Sequence, residues 1–169
     1  RYADSNDVLF GTTLAGRPPD LADAGEIVGL FIETIPTRAR IVGTQRVADW
    51  LETLQKAQQT AAEFGHSGLT EIRASSEIPG DRDLFDTLLV FESLPPALAE
   101  SSEFGNLQLL NIEFFERSHY PLAILVIPGD AWELIAISDT SRFGEVMVER
   151  VLASFVAALE SLACANDQT

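Results

Sequence analysis

Apolar residues alternate with polar ones or cluster in several short runs, and these runs are the strand candidates of the chain. They lie at residues 7–14, 33–41, 84–91, 107–116, 122–127 and 132–137. Pro36 removes a backbone donor from the second run, which favours an edge strand or a bulge there. Gly129 and Asp130 separate the last two runs and predict a hairpin turn between them.

A helical period of apolar residues replaces the strand pattern in two longer segments. The first extends from about 44 to 64, with Thr44 as its candidate N-cap and Gly65 as its C-terminal stop. The second covers about 143–163, and a short helical piece is expected at 69–73. Residues 93–106 form a predicted loop that is long enough to suggest function or mobility.

Together these elements predict an α/β (α+β) fold, with a mixed sheet of about five strands covered by two long helices. The length of 169 residues suits one globular unit, which would bury roughly 70% of the surface of its unfolded chain. No internal repeat and no interior linker divides the sequence.

The charge balance is strongly acidic, which narrows the classes of molecule that the chain is expected to bind. Twenty-six acidic residues face eleven basic ones, for a formal net charge of −15. Phosphate backbones and anionic lipids attract clustered Lys and Arg, so nucleic-acid and membrane binding are disfavoured. No apolar run approaches the ~20 residues of a membrane helix, and no basic-then-apolar leader is visible. A single cysteine, Cys164, fits a reducing compartment, and we expect a cytoplasmic protein.

The residue types that usually carry catalysis are sparse. His66 and His119 are the two histidines, and each stands in a loop without a supporting motif. An imidazole titrates near neutrality, so either is a possible general base, although a surface or capping role is the more common one. Ser138 to Ser141 hold hydroxyls and a carboxylate but no nucleophile-elbow pattern, and we interpret them as a strand end followed by helix caps.

Metal and nucleotide sites are not indicated. Asp81, Asp83 and Asp86 lie close in sequence but are not followed by a calcium-loop pattern, so we expect a charge-rich loop and no metal. The glycines form neither a dinucleotide nor a phosphate-loop motif, and the sole lysine, Lys56, lies inside a predicted helix. Cys164 has no basic neighbour to lower its pKa and is interpreted as structural or incidental.

One run, FGTTLAGRP at 10–18, combines small hydroxyl residues, two glycines and an arginine at the end of a predicted strand. Small residues let another surface approach closely, and an arginine between Gly16 and Pro18 can present its planar fork to a carboxylate. A surface turn with a solvated Arg17 is the alternative interpretation.

This run and those that follow it resemble the C-terminal half of a nonribosomal peptide synthetase condensation domain. The other matching runs are VGLFIETIPTR at 28–38, LFDTLLVFE at 84–92 and YPL at 120–122. The resemblance covers nearly the whole chain, and its first two motifs are the most specific. Glu33 departs from the Asn that the family usually has there, and the stretch from His66 to Asp83 matches poorly.

The resemblance implies half of a chloramphenicol-acetyltransferase-like pseudodimer, with residues 1–169 as the C-terminal subdomain. The family's catalytic motif, His-His-x-x-x-Asp-Gly, belongs to the N-terminal lobe, and this sequence has no His-His pair. The chain would therefore hold no catalytic residue of its own. The resemblance implies a floor loop and tunnel wall that include Thr12, Thr13, Gly16 and Pro18, and an Arg17 that pairs with the Asp of the catalytic motif.

The implied partners are the N-terminal lobe, the upstream and downstream peptidyl carrier proteins and an adjacent adenylation domain. Substrates would arrive on the 4′-phosphopantetheine arms of the carrier proteins, with no cofactor bound directly. Two alternatives stay open: a non-condensing relative (an epimerisation, cyclisation or carrier-recruiting domain) and an independent binding module. The run at 28–36 favours ordinary condensation over epimerisation.

Overall fold

Five strands form one twisted layer in the computed structural model, which describes residues 3–15, 21–23, 26–79, 82–92, 103–104, 107–108 and 117–166. The strands of this sheet, in chain order, are β1 (Asp7–Ala15), β2 (Ile32–Arg40), β3 (Thr87–Phe91), β6 (Leu122–Ile127) and β7 (Glu133–Ser138). Two short strands, β4 (Glu103–Phe104) and β5 (Leu107–Gln108), pair separately with each other. The helices are α1 (Val47–Glu63), α2 (Leu69–Ala74) and α3 (Glu145–Asn166).

The sheet is mixed, as the sequence predicts. Its strand order is β2-β1-β3-β6-β7. The two outer pairs, β1 with β2 and β6 with β7, are antiparallel, whereas β3 runs parallel to both β1 and β6. Strand β2 lies at one edge, which confirms the position expected from Pro36.

The register of β1 with β2 assigns each residue to one of two faces. Paired residues project to the same side of a sheet, and successive residues project to opposite sides. We call the side of Thr12, Ile35, Thr37 and Ala39 the Thr12 face; all four of these residues are buried. The opposite side, the Gly11 face, carries Gly11, Thr13, Thr34 and Pro36.

Helix α1 packs on the Thr12 face. The helix contacts β2, α3 contacts β7, and the two helices contact each other. The Trp50 Nε1–H donates a 2.7 Å hydrogen bond to the carbonyl oxygen of Arg40, which fixes α1 at the end of β2. The side chain of Glu33, also on the Thr12 face, lies against Gly65 just beyond the helix.

Strand β6 is the most deeply buried strand of the sheet. Leu122 to Val126 are each no more than 9% exposed, so the strand is buried on both of its faces, and it lies between β3 and β7 in the sheet. A strand buried on both faces does not alternate between apolar and polar residues, which explains the continuous apolar run of β6.

Two predicted boundaries are wrong. Helix α1 begins at Val47, and its N-cap residue is Arg46 without a side-chain capping bond, so Thr44 is not the cap. Strand β3 begins at Thr87 rather than 84, because Phe85 leaves the strand direction and packs against β1. The predicted end of α1 is confirmed: the helix stops at Glu63, and the Gly65 N–H donates to the carbonyl oxygen of Ala62.

The segment from 93 to 116 is described only in part. Of the predicted strand at 107–116, the structure describes Leu107–Gln108, which form β5. Residues 109–116 lie outside the described residues. Inside the predicted loop at 93–106, Glu103–Phe104 form a short strand, and the rest of that loop lies outside the described residues.

Candidate functional site

The structure places the two threonines predicted for the floor loop on opposite faces of β1. Thr12 is 6% exposed, and its Oγ1 lies 2.7 Å from Oγ1 of Thr37 on the neighbouring strand. Its hydroxyl is therefore bonded inside the Thr12 face. Thr13 is half-buried on the Gly11 face, directly opposite Thr34. The sheet thus separates these two residues although they are adjacent in sequence.

The remaining predicted floor residues, Gly16, Arg17 and Pro18, lie outside the described residues. The strand that leads to them is well defined, since β1 keeps its pairing with β2 up to Ala15 opposite Ile32. The predicted pairing of Arg17 with a carboxylate of another lobe stays a prediction.

An aromatic stack rests on the Gly11 face. The rings of Phe85 and Tyr120 lie 5.3 Å apart at an interplanar angle of 22°. Gly11 makes this position possible, because a Cβ there would overlap Cε2 of Phe85. The side chain of Thr34 in β2 lies close enough to the Tyr120 hydroxyl to lower its pKa. The stack therefore joins the segments before β3 and β6 to the β1–β2 pair.

Two clefts open on either side of Tyr120. The first, of about 740 Å³, is lined by Thr70 and Arg73 of α2 together with Phe85. The second, of about 610 Å³, is lined by Ser138 and other residues around the end of β7. Tyr120 and its neighbours His119 and Pro121, with Asp83, line both clefts.

These clefts have the size and the polar groups of small-molecule sites. In the first, Arg73 Nη1 and Asp83 Oδ1 form an ion pair at 3.8 Å, beside the apolar side chain of Phe85. Burial raises the pKa of the Tyr120 hydroxyl above its ordinary value, and the nearby Thr34 side chain acts in the opposite direction. Tyr120 therefore stays protonated at neutral pH and can both donate and accept a hydrogen bond.

The two histidines are in different places. His119 is exposed and lines both clefts, whereas His66 is exposed in the turn after α1, outside the lining of either cleft. His119 remains a residue that a bound ligand would contact.

The hydroxyl-rich stretch after β7 forms a turn. The backbone N–H and the hydroxyl of Ser141 both donate to Asp139 Oδ1, at 2.9 and 2.7 Å. The bonds from Ser141 hold the pKa of Asp139 below its usual value. This carboxylate is thus engaged within its own turn, just before α3.

The other candidate groups that the structure describes do not form a cluster that could hold a metal ion. Cys164 is exposed on the last part of α3. Within the described part of the chain, no group of three or more His, Cys, Asp or Glu side chains could hold a metal ion. Asp81 lies outside the described residues, so the predicted Asp81, Asp83 and Asp86 loop is seen only in part. Among the helices of the described segments, none is long and apolar enough to cross a membrane.

The sequence alone did not indicate that Tyr120 and Thr34 lie close together. Both occur in the runs that carry the family resemblance, but no sequence spacing links a residue of β2 to one just before β6. The signal that could have identified Tyr120 is an aromatic residue followed by Pro121 immediately before a fully apolar strand, a position that places a large ring at the start of an interior strand of the sheet.

Known proteins similar to this chain agree on one family. The family profile described as "Condensation domain" matches residues 1–169. A linear gramicidin synthase polypeptide of Brevibacillus parabrevis is 40% identical over 162 residues, covering 96% of this chain and 3% of that protein. Chondramide synthase of Chondromyces crocatus is 39% identical over 165 residues, covering 96% of this chain and 4% of that protein.

Solved structures share the fold at low sequence identity. A double mutant of the starter condensation domain of rhizomide synthetase matches with a TM-score of 0.74 at 16% identity, over 97% of this chain and 38% of that one. A structure described as a CT mutant matches with a TM-score of 0.77 at 17% identity, over 99% of this chain and 39% of that one. The chain thus spans less than half of these solved chains and a few per cent of the curated relatives. On the strength of the match over its full length, the chain belongs to the condensation domain family.

Proposed function

We propose that this chain is the C-terminal lobe of a nonribosomal peptide synthetase condensation domain, which forms an amide bond between two carrier-bound substrates. The observation that carries the proposal is the condensation-domain match over residues 1–169. In that reaction the amine of an aminoacyl acceptor attacks the thioester carbonyl of an acyl or peptidyl donor. A C–N bond forms, the C–S bond breaks, and the amine proton leaves as the donor thiol is released.

The part of this chain in the reaction is to shape the channel. The imidazole that orients the amine belongs to the preceding lobe, and the substrates arrive on the 4′-phosphopantetheine arms of the upstream and downstream carrier proteins. The clefts beside Tyr120 and the end of β1 provide the wall and the base of the floor loop. Holding two reactants in one geometry is itself a large contribution to rate.

Arg17 is the floor-loop residue with the most specific proposed role. Its guanidinium forms a planar fork that pairs with the Asp of the catalytic motif in the preceding lobe. The pairing of β1 with β2 up to Ala15 supports this role, because the loop departs from a strand whose register is defined. Breaking a buried pair of this kind leaves one charge uncompensated and is costly.

The proposal is tested by reconstitution. The intact domain, containing this chain and the preceding lobe, is mixed with an acyl-loaded donor carrier and an aminoacyl-loaded acceptor carrier, and the acceptor-bound product is followed by mass spectrometry. We expect amide product from the intact domain and none from this chain alone. Product from this chain alone would overturn the assignment of the lobe. Epimerised or cyclised product without condensation would identify a non-condensing relative.

Arg17 is tested in the same assay. Arg17→Ala should abolish most condensation or prevent folding, and Arg17→Lys should restore charge but not the two-pronged geometry, so that it folds yet remains impaired. Arg46→Ala is the matched control, because Arg46 is exposed at the start of α1. Wild-type activity in both Arg17 variants would reject the pairing.

A further inference from the structure

Arg73 places a guanidinium in the lining of the first cleft with a weak partner. Its side chain belongs to the last turn of α2 and is 35% exposed, so most of it is removed from water. Within the residues that the structure describes, its one ion pair is with Asp83, whose Oδ1 lies 3.8 Å from Nη1. That distance is longer than a hydrogen bond, and the Asp83 side chain is 81% exposed. The planar fork of Arg73 therefore keeps donors for another anion.

The turn after α2 fixes the backbone of Arg73. Its carbonyl oxygen accepts hydrogen bonds from the Ser76 backbone N–H at 3.1 Å and from the Ser76 hydroxyl at 2.8 Å. The same Ser76 oxygen accepts a bond from the Ile78 N–H at 3.3 Å. This side of the cleft is thus ordered by bonds within the chain, so a ligand would not have to order it on binding.

Much of the remaining lining is apolar. It consists of Leu69, Ala74, Ile78, Leu84, Phe85 and Pro121. Phe85 is 7% exposed and stacks on Tyr120 at 5.3 Å, which holds this part of the wall in place. The volume of about 740 Å³ is typical of a small-molecule pocket. A ligand that fills the cleft therefore gains affinity by burying apolar surface as well as by its charge.

The charges at Arg73 favour a ligand with a single negative charge. A carboxylate is planar and matches the guanidinium fork with two parallel hydrogen bonds. The carboxylate of Asp83 lies at the same end of the cleft and would repel a second negative charge, which disfavours a phosphate dianion. The cleft thus combines the partner of one carboxylate with a wall for an apolar group.

We infer that the first cleft binds a free monocarboxylate with an apolar body. The ligand carboxylate replaces Asp83 on Arg73, and the apolar body lies against Phe85 and the other apolar lining residues. This site goes beyond the proposed function, because the donor of that reaction is a thioester and has no free carboxylate at its acyl group. Binding at the site therefore needs no carrier protein.

The test is calorimetric titration of the intact domain, containing this chain and the preceding lobe, with 3-phenylpropionate at neutral pH. The matched probes are 3-phenylpropanamide, which lacks the negative charge, and acetate, which lacks the apolar body. We expect saturable binding of 3-phenylpropionate and at least about tenfold weaker binding of either matched probe.

Two variants test the predicted contacts of the carboxylate. Arg73→Gln should weaken binding about tenfold or more, as expected for the loss of a hydrogen bond between charged groups. Asp83→Asn should strengthen binding several-fold, because it removes the carboxylate that competes for Arg73. The matched controls are Arg46→Gln and Asp130→Asn, which make the same changes of charge at exposed positions and should leave the affinity unchanged.

Three results would overturn the inference: no saturable binding of 3-phenylpropionate, equal affinity in the wild type and Arg73→Gln, or an affinity of Asp83→Asn no higher than that of Asp130→Asn. The last comparison decides the question if Arg73→Gln does not fold, since both aspartates are exposed. The titration contains no carrier protein. A failure of amide formation would therefore count against the proposed function and not against this site.

Discussion

Gly11 lies directly against the ring of Phe85, and a side chain at Gly11 would occupy the same space as that ring. The ring cannot move away freely, because it is buried and stacked on Tyr120. The close approach therefore couples β1 to the segment before β3. This coupling is the basis of the first prediction.

Gly11→Ala should destabilise the domain by about 1–3 kcal/mol, the usual cost of forcing an extra methyl group into a packed core. The measurement is the midpoint of thermal unfolding. Gly43→Ala is the matched control, since a Cβ at Gly43 meets nothing within 4 Å. Equal shifts in the two variants would contradict the proposed overlap.

The hydroxyls of Thr12 and Thr37 should be energetically coupled, because they are buried and 2.7 Å apart. Thr12→Val leaves the Thr37 hydroxyl without this partner and should cost about 1–3 kcal/mol. Adding Thr37→Val removes the stranded group and should cost less than the sum of the single changes. Denaturant unfolding of the four proteins in the cycle measures the coupling, and strictly additive losses would argue against it.

Asp7 should contribute a pH-dependent part of the stability. Two nitrogens of Arg38 donate to its carboxylate and Arg40 donates a further bond, so that its pKa falls from 3.8 to about 2. A depressed folded-state pKa stabilises the fold above the unfolded-state value, and this contribution disappears as the pH falls through the folded-state value.

The wild type should therefore be more stable than Asp7→Asn at neutral pH, and the difference should shrink between about pH 4 and pH 2. Unfolding midpoints measured across that range provide the comparison. Asp130→Asn, in the exposed turn between β6 and β7, is the control for a general effect of charge removal. A gap that stays constant down to pH 2 would show that the Arg38 and Arg40 bonds are not the cause.

Trp50 should matter more than its partial exposure suggests, because its Nε1–H bonds to the Arg40 carbonyl and joins α1 to β2. Trp50→Phe keeps an aromatic ring but removes that bond, for an expected loss of about 1 kcal/mol. Trp132→Phe is the control for the loss of an indole ring. Trp132 is 60% exposed, and its ring centroid lies 5.9 Å from that of Phe91 in an edge-to-face contact. Thermal unfolding and susceptibility of α1 to protease should separate the two variants, and a larger loss in Trp132→Phe would contradict the prediction.

Much of the sheet and both long helices could be predicted from local pattern. Strand β6 could be predicted because a strand buried on both faces is a continuous apolar run of neighbouring residues. The edge position of β2 could be predicted because its proline lacks a backbone donor. The same reasoning failed at Phe85. Its apolar neighbourhood resembles a strand, and only the space above Gly11, seventy-odd positions earlier in the chain, determines where the ring packs.

The candidate site was less predictable for the same physical reason. The proximity of Tyr120 to Thr34 depends on how β1, β3 and β6 are ordered in the sheet, and no periodicity within either segment encodes that order. The floor-loop role of Thr12 and Thr13 came from the family resemblance, which did not indicate that β1 turns the two hydroxyls to opposite faces. The role of Arg17 stays a prediction.

The strand order has a consequence for how the sheet folds during protein synthesis. Strand β1 pairs first with β2; β3 then joins the free side of β1, and β6 and β7 each extend the sheet in that same direction. A nascent chain leaving the ribosome can therefore assemble this sheet in the order of translation, without ever reopening a completed strand pair to admit a late arrival. At every stage the next strand is added at the same edge of the sheet, the one away from β2. This order limits the surface on which an unfinished chain can misassemble.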